Sequence, residues 1–152
     1  MPLLVMDIVV SLKYYRTMKA RNEKLMKYAQ DALNINDAIW TTKYQSILDA
    51  YNGQIAALSV AVAISGLRPT LAIYYQDKPN AGTIRKANRR TILDLIAKMI
   101  SLDENIFFFD NAEALLRHAV SNNADLLWLK KEVIECAIAL KQVVRTYNLV
   151  SK

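Results

Sequence analysis

The sequence IAALSVAVAISGLRPTLAIYY spans residues 55–75, and we interpret the rest of the chain as built around it. Residues 55–64 carry no charge, and Ser59 is their only polar side chain. A helix that is apolar on all sides either crosses a membrane or lies inside a packed core. Because a membrane span needs about 20 such residues, this stretch predicts a buried central helix.

The end of this helix and the start of the next are marked by Gly66 and Pro69. Glycine can adopt the left-handed conformation that closes a helix, and proline fits the first turn of a new one. Leu67, Leu71 and either Tyr74 or Tyr75 continue at three-to-four spacing. We therefore expect a short helix after a sharp turn.

The composition is that of one folded, helical domain covering residues 1–152. Hydrophobic residues make up 53% of the chain, with only three Gly and three Pro, which disfavours disorder and turn-rich β architectures. The opening MPLLVMDIVV has no basic residue before its apolar run, so we interpret it as the start of a helix rather than a signal peptide. The expected location is cytoplasmic, without membrane contact.

Apolar periodicity predicts helices along the rest of the chain. Capping-box spacing at Thr42 and Gln45, and at Asp110 and Glu113, supports two helix starts, and Thr83 is the predicted cap of a third. No segment predicts a strand. The predicted helices are residues 4–33, a region from Trp40 through Tyr44, Ile47, Leu48 and Tyr51 into the central helix, residues 83–100, 112–120 and 124–148. The expected fold is all-α, with about six helices around the buried central one.

The net charge of +6 suggests a polyanionic partner. Lys13, Arg16, Lys24 and Lys27 fall within an arc of roughly 80° on the first helix. This strip is either a solvated face or one side of a groove for a phosphate backbone. Lys141 and Arg145 add cations on the last helix.

A second basic cluster lies at the start of the helix predicted from Thr83. It contains Arg85, Lys86, Arg89 and Arg90. Cations at a helix N-terminus oppose the helix dipole, at a cost of about 0.3–1 kcal/mol each. We therefore interpret this cluster as the strongest candidate for polyanion contact.

Catalytic motifs are missing from the sequence. One histidine, His118, and one cysteine, Cys136, form no recognisable triad or zinc site, and three glycines build no phosphate-binding loop. A weaker possibility is an enzyme that uses His118 with Asp103 or Glu104. We expect a non-enzymatic binding protein with no cofactor and no metal.

Two segments resemble a known family. GLRPTLAIYYQ, residues 66–76, is similar to the "GL…tLa" turn in the small helical subunit of type III-B CRISPR effector complexes, the Cmr complexes. LLWLKKEVIECA, residues 126–137, resembles that family's "L-x-W-L-K-R" helix, with matches at Trp128, Leu129 and Lys130–Lys131. In length, helix order and basic charge the likeness covers essentially the whole chain.

The resemblance implies a non-catalytic subunit of an RNA-cleaving antiviral complex. Copies of such a subunit stack on one another beside the guide-RNA backbone, and their basic faces line the groove where guide and target RNA pair. The implied partners are other effector subunits, guide RNA and target RNA. The alternative from the residues alone is a helical adaptor whose basic faces bind acidic proteins and no nucleic acid.

Overall fold

The computed structural model describes residues 3–78, 86–104 and 108–151, apart from the side chains of residues 3–16 and 104. Within this part the chain forms six α-helices, one short 3-10 helix and a three-stranded sheet, so the predicted helical bundle is confirmed. In chain order the elements are α1 (Leu3–Ile35), the 3-10 helix (Asp37–Ile39), β1 (Trp40–Thr42), β2 (Ser46–Leu48), α2 (Asp49–Ser65), α3 (Leu67–Tyr75), α4 (Arg89–Glu104), α5 (Ala112–Ala119), α6 (Leu126–Val144) and β3 (Asn148–Val150).

The helix at the centre of the bundle is α4, whereas the sequence pointed to α2. Helix α4 contacts each of the other described helices. Between its two ends the charged residues are Arg90, Asp94 and Lys98, which recur every four positions and so share one stripe, leaving the other sides of this stretch for the core. Its buried residues are Thr91, Ile92, Leu93, Leu95, Ile96, Ala97, Met99, Ile100 and Ser101.

Helix α2 is buried on one face only. Tyr51, Ile55, Leu58 and Val62 enter the core at three-to-four spacing. The opposite face is apolar as well, yet it is exposed. The prediction of complete burial failed because an apolar residue need not be inside, and a second apolar surface is informative in itself.

Residues 40–42 and 46–48 form strands, although we predicted a helix in this region with a cap at Thr42. Strand β1 pairs antiparallel with β2, and β2 pairs parallel with β3 from the far end of the chain. The turn between β1 and β2 is closed by a hydrogen bond from the backbone N–H of Gln45 to the Thr42 carbonyl at 2.9 Å, and Tyr44 has a φ of 64°. The Thr42–Gln45 pair is therefore a turn and not a capping box.

Several helix ends differ from the prediction because of local caps. Gly66 closes α2 with a φ of 95°, as expected. Helix α4 begins at Arg89 rather than Thr83, since residues 86–88 are not helical. Asn111, and not Asp110, caps α5 by accepting from the Ala114 N–H at 3.0 Å. Helix α6 begins and ends inside residues 124–148, because Asp125 caps its start and β3 follows its end.

Asp94 joins α4 to the start of α5 and provides a test of the packing. Its Oδ1 accepts from the Ala112 N–H at 2.6 Å, and burial raises the pKa of Asp94. The folded state therefore binds that proton more tightly than the unfolded state, so this contribution to stability is lost as pH rises through the folded pKa. We expect Asp94→Asn, which keeps an acceptor oxygen, to flatten the pH dependence and to be neutral or stabilising at pH 7.

The matched variant for this test is Asp94→Ala. It removes the acceptor of the Ala112 N–H and should cost about 1 kcal/mol. Urea unfolding of both variants from about pH 4 to neutral measures the two effects separately. Equal destabilisation by Asn and Ala at neutral pH would show that the carboxylate charge, rather than the hydrogen bond, is what α5 requires.

Candidate nucleic-acid interface

Lys24, one of the predicted contacts, belongs to an ionic cluster where α1 meets α4 and α6. Its Nζ lies 3.5 Å from Asp103. Arg21 is the centre of the cluster: it donates to Asp103 at 3.1 Å, to Glu132 at 2.7 Å and to Glu135. Lys24 is therefore partly neutralised by Asp103 within the protein. The sequence did not predict the role of Arg21 in holding the three helices together.

The ionic cluster links α1, α4 and α6, and two of its carboxylates are shielded from solvent. The side chains of Asp103 and Glu132 are only 2% and 4% exposed. Burial opposes the charged form of Arg21, but its hydrogen bond to Glu135 and the charges of Glu132 and Asp103 outweigh burial, so the pKa of Arg21 is raised. One residue in the sequence does indicate a buried ionic cluster: Glu132 is a carboxylate among the apolar residues of α6.

Arg89 is bound to Asp77, just beyond α3. The guanidinium donates to both carboxylate oxygens at 3.1 and 2.9 Å, and the Arg89 backbone N–H donates to the same carboxylate at 2.9 Å. The guanidinium also lies 5.1 Å from the centre of the Tyr74 ring. The hydrogen bonds from Arg89 lower the pKa of Asp77.

Arg90 is held by the end of α3. Its Nε donates to the Tyr75 carbonyl at 2.8 Å, and its guanidinium lies 4.0 Å from the centre of the Tyr75 ring. The last carbonyls of a helix have no partner within the helix and carry the negative end of its dipole. Arg90 therefore supplies a hydrogen-bond donor and a positive charge to the carbonyl end of α3.

These contacts correct the reasoning about the second basic cluster. The helix predicted from Thr83 would carry four cations in its first turns, but α4 begins at Arg89, and Lys86 precedes it. Arg89 is bound to Asp77 and Arg90 to the end of α3. These contacts within the protein explain why two cations stand at the start of α4. Arg85 lies outside the described residues, and Lys86 is exposed.

The remaining candidates lie on two other surfaces. Lys27 is exposed on α1, while the side chains of Lys13 and Arg16 lie outside the part that the structure describes. Lys141 and Arg145 line a groove between α2 and α6. The candidates whose side chains are described thus belong to α1, to the start of α4 with the residues just before it, and to the end of α6.

The groups suggested for catalysis have other contacts. The Asp103 carboxylate accepts from Arg21 and lies beside Lys24. The His118 ring lies against Phe109, with their centres 5.2 Å apart. Among the side chains of residues 17–78, 86–103 and 108–151, no three of histidine, cysteine or acidic type are placed to hold a metal ion. In the same part of the chain, no helix has the length and apolar character of a membrane span.

Together these features define a basic all-α bundle with a small mixed sheet. No family model, no curated protein and no solved structure matches the chain.

Proposed function

We propose that this protein is a non-catalytic subunit of a type III-B CRISPR effector complex and holds the RNA backbone in the guide–target groove. The observation that carries the proposal is the net charge of +6 on a helical bundle that carries the two family-like segments. Sequence readout is not required of such a subunit, because pairing with the guide selects the target and the protein contacts phosphates.

The first of those segments has a structural role in this chain. Gly66 takes a φ of 95°, and the Thr70 hydroxyl donates to the Gly66 carbonyl at 2.8 Å. Leu67, Leu71 and Tyr74 are buried behind this turn. A motif made of turn and core residues is the kind that members of a fold family share, which supports the resemblance.

We assign RNA contact to the outer face of α1. Lys27 is exposed there, and among the described residues no carboxylate lies within 4 Å of its Nζ. The sequence spacing adds Lys13 and Arg16 to the same strip, with Lys86 and Arg85 as a second set of candidates. Arg89, Arg90 and Lys24 already contact groups within the protein and contribute less.

Purification of the tagged protein from its native host tests the assembly. We expect other effector subunits and short guide RNAs to be recovered together, and RNase treatment to release part of them. Recovery of unrelated proteins without RNA would contradict the proposal and would leave the protein-binding adaptor.

A matched pair of charge reversals tests the α1 surface. The test variant is Arg16→Glu with Lys27→Glu, and the control is Lys43→Glu with Arg117→Glu. Lys43 and Arg117 are exposed and already lie near Asp37 and Glu113. Each double variant lowers the net charge by four, from +6 to +2.

The measurement is binding of a labelled RNA duplex with single-stranded ends over a salt series. Each lost phosphate contact reduces the slope of log affinity against log salt by about 0.7–0.9, so the test variant should lose about 1.5 in slope and the control much less. Equal losses would show that only the overall charge matters, and unchanged binding in the test variant would remove the α1 surface from the proposal.

The adaptor remains a second candidate function because α2 exposes an apolar face. A protein-only adaptor predicts partner binding that is insensitive to RNase and no dependence of nucleic-acid affinity on the α1 cations. These two outcomes together distinguish it from the RNA-binding subunit.

A further inference from the structure

The exposed face of α2 has the spacing of a helix–helix contact. Gly53, Ala57, Val60 and Ile64 follow one another at intervals of four, three and four, and all four are exposed. Val60 and Ile64 are 56% and 79% exposed. The same spacing defines the seam between paired helices, whereas a helix face that meets only water is usually polar.

Gly53 is unexplained by packing within the chain. A Cβ atom at this position would meet none of the described residues within 4 Å. Glycine inside a helix costs about 1 kcal/mol relative to alanine. The fold therefore tolerates a destabilising residue on this face, and a close approach by another backbone is one use of such a position.

A groove of about 640 Å³ lies between α2 and α6 and adjoins this face, with which it shares Val60. Ala56 and Val60 form one apolar side of it, and Ile138, which is also exposed, forms the other. Lys141 and Arg145 lie one turn apart at its edge. The groove lining thus combines apolar side chains from both helices with two cations and the polar side chains of Ser59, Gln142 and Thr146.

The two cations at the edge have no internal counter-ion in the described part of the chain. No carboxylate of residues 17–78, 86–103 or 108–151 lies within 4 Å of Lys141 or Arg145. Their place near the end of α6 suits the helix dipole, but two like charges four residues apart repel each other. An acidic group from outside would relieve that repulsion.

We propose that the α2–α6 groove binds an amphipathic helix of a partner protein. The apolar side of the partner helix covers Val60 and Ile138, and acidic residues along one flank pair with Lys141 and Arg145. The proposal is independent of RNA binding, because none of these residues belongs to the α1 surface.

The chemistry of the groove favours a protein helix over RNA or a second copy. A phosphate backbone would lose water against Val60 and Ile138 without gaining hydrogen bonds there. A two-fold pairing of copies brings the same surface to both sides, and the groove residues of each copy add two cations, Lys141 and Arg145, and no carboxylate. A helix with an apolar face and an acidic flank supplies both a cover for the apolar side chains and counter-ions for Lys141 and Arg145.

The test selects binders from a displayed library of helical peptides several heptads long. Apolar residues occupy the seam positions, and Glu, Gln or Lys occupies the flanks. We expect the full-length protein to enrich peptides with Glu flanks, and Lys141→Glu with Arg145→Glu to enrich Lys flanks instead. Val60→Glu should weaken selected peptides about tenfold or more, with circular dichroism confirming that this exposed substitution leaves the helices intact.

The control is Leu127→Glu, which introduces the same charge at an apolar helical position that is 81% exposed and outside the groove. It should bind the selected peptides as the unmodified protein does. The proposal is overturned if no peptides are enriched, if the flanks show no charge preference, or if Val60→Glu and Leu127→Glu act equally. Self-association abolished by Val60→Glu would identify a second copy as the occupant, and RNA binding lost with Lys141 and Arg145 would identify nucleic acid.

Discussion

Replacing Arg21 with methionine is expected to lower the free energy of unfolding by about 3–5 kcal/mol. The methionine keeps much of the aliphatic volume but removes the donors to Asp103, Glu132 and Glu135. Two of these carboxylates are almost completely buried, and a buried charge that loses its partner is far costlier than an exposed one. Adding Glu132→Gln to this variant should restore part of the loss.

The control for Arg21 is Arg117→Met on α5. Arg117 lies 4.0 Å from Glu113 in an exposed pair four residues apart. Such pairs contribute about 0.3–0.5 kcal/mol, so the control should unfold at nearly the same urea concentration as the unmodified protein. A loss from Arg21→Met no larger than the control's would mean that the carboxylates reach solvent or other partners.

Cys136 provides a second measurement at the same junction. It is the only cysteine in the chain, it is fully buried, and burial raises the pKa of its thiol. A thiol reagent should therefore react only when the protein opens. If Arg21→Met lowers the cost of global opening by 3 kcal/mol or more, labelling through that opening should be at least about a hundredfold faster.

Local sequence features predicted the six α-helices and the turn at Gly66. Apolar residues at helical spacing can be recognised in a sequence, and so can a glycine at a position that needs a positive φ. The same features did not identify the central helix. Helix α4 contains Arg90, Asp94 and Lys98, yet it is more deeply buried than the nearly uncharged α2. Burial depends on how many neighbours surround a helix, which is a property of the whole arrangement.

The basic residues show the same distinction between local and distant information. Lys and Arg positions are visible in the sequence, but their partners are not. The partners of Arg89 and Arg90 are Asp77 and the end of α3. Lys141 and Arg145 line a groove together with apolar residues of α2, which lies some 80 residues earlier in the chain. Their positions in the sequence alone do not indicate that groove.

The sheet was missed because its strands are short and its pairing is distant. Each strand has three residues, too few to display an alternation. Trp40, Tyr44, Ile47 and Tyr51 also fall at three-to-four spacing, which predicted a helix. The pairing of β2 with β3 joins residues 46–48 to 148–150, and no local pattern indicates such a contact.

Trp40 anchors that sheet, and its replacement by alanine is expected to cost about 3–5 kcal/mol. The indole is 2% exposed and donates to the Leu33 carbonyl near the end of α1 at 2.9 Å. Its ring meets Tyr147 edge-on at 4.9 Å and Tyr44 at 5.5 Å. One side chain thus contacts the end of α1, the hairpin turn and the segment leading into β3.

Trp40→Phe separates the hydrogen bond from the packing. It retains an aromatic ring but leaves the Leu33 carbonyl without the indole donor, so we expect a smaller loss of about 1–2 kcal/mol. In both variants Trp128 is the one remaining tryptophan, and its fluorescence together with far-UV circular dichroism follows urea unfolding. A Trp40→Ala protein as stable as Trp40→Phe would mean that the tyrosines and the carbonyl are held without the indole, and that the parallel pairing of β2 and β3 does not depend on this anchor.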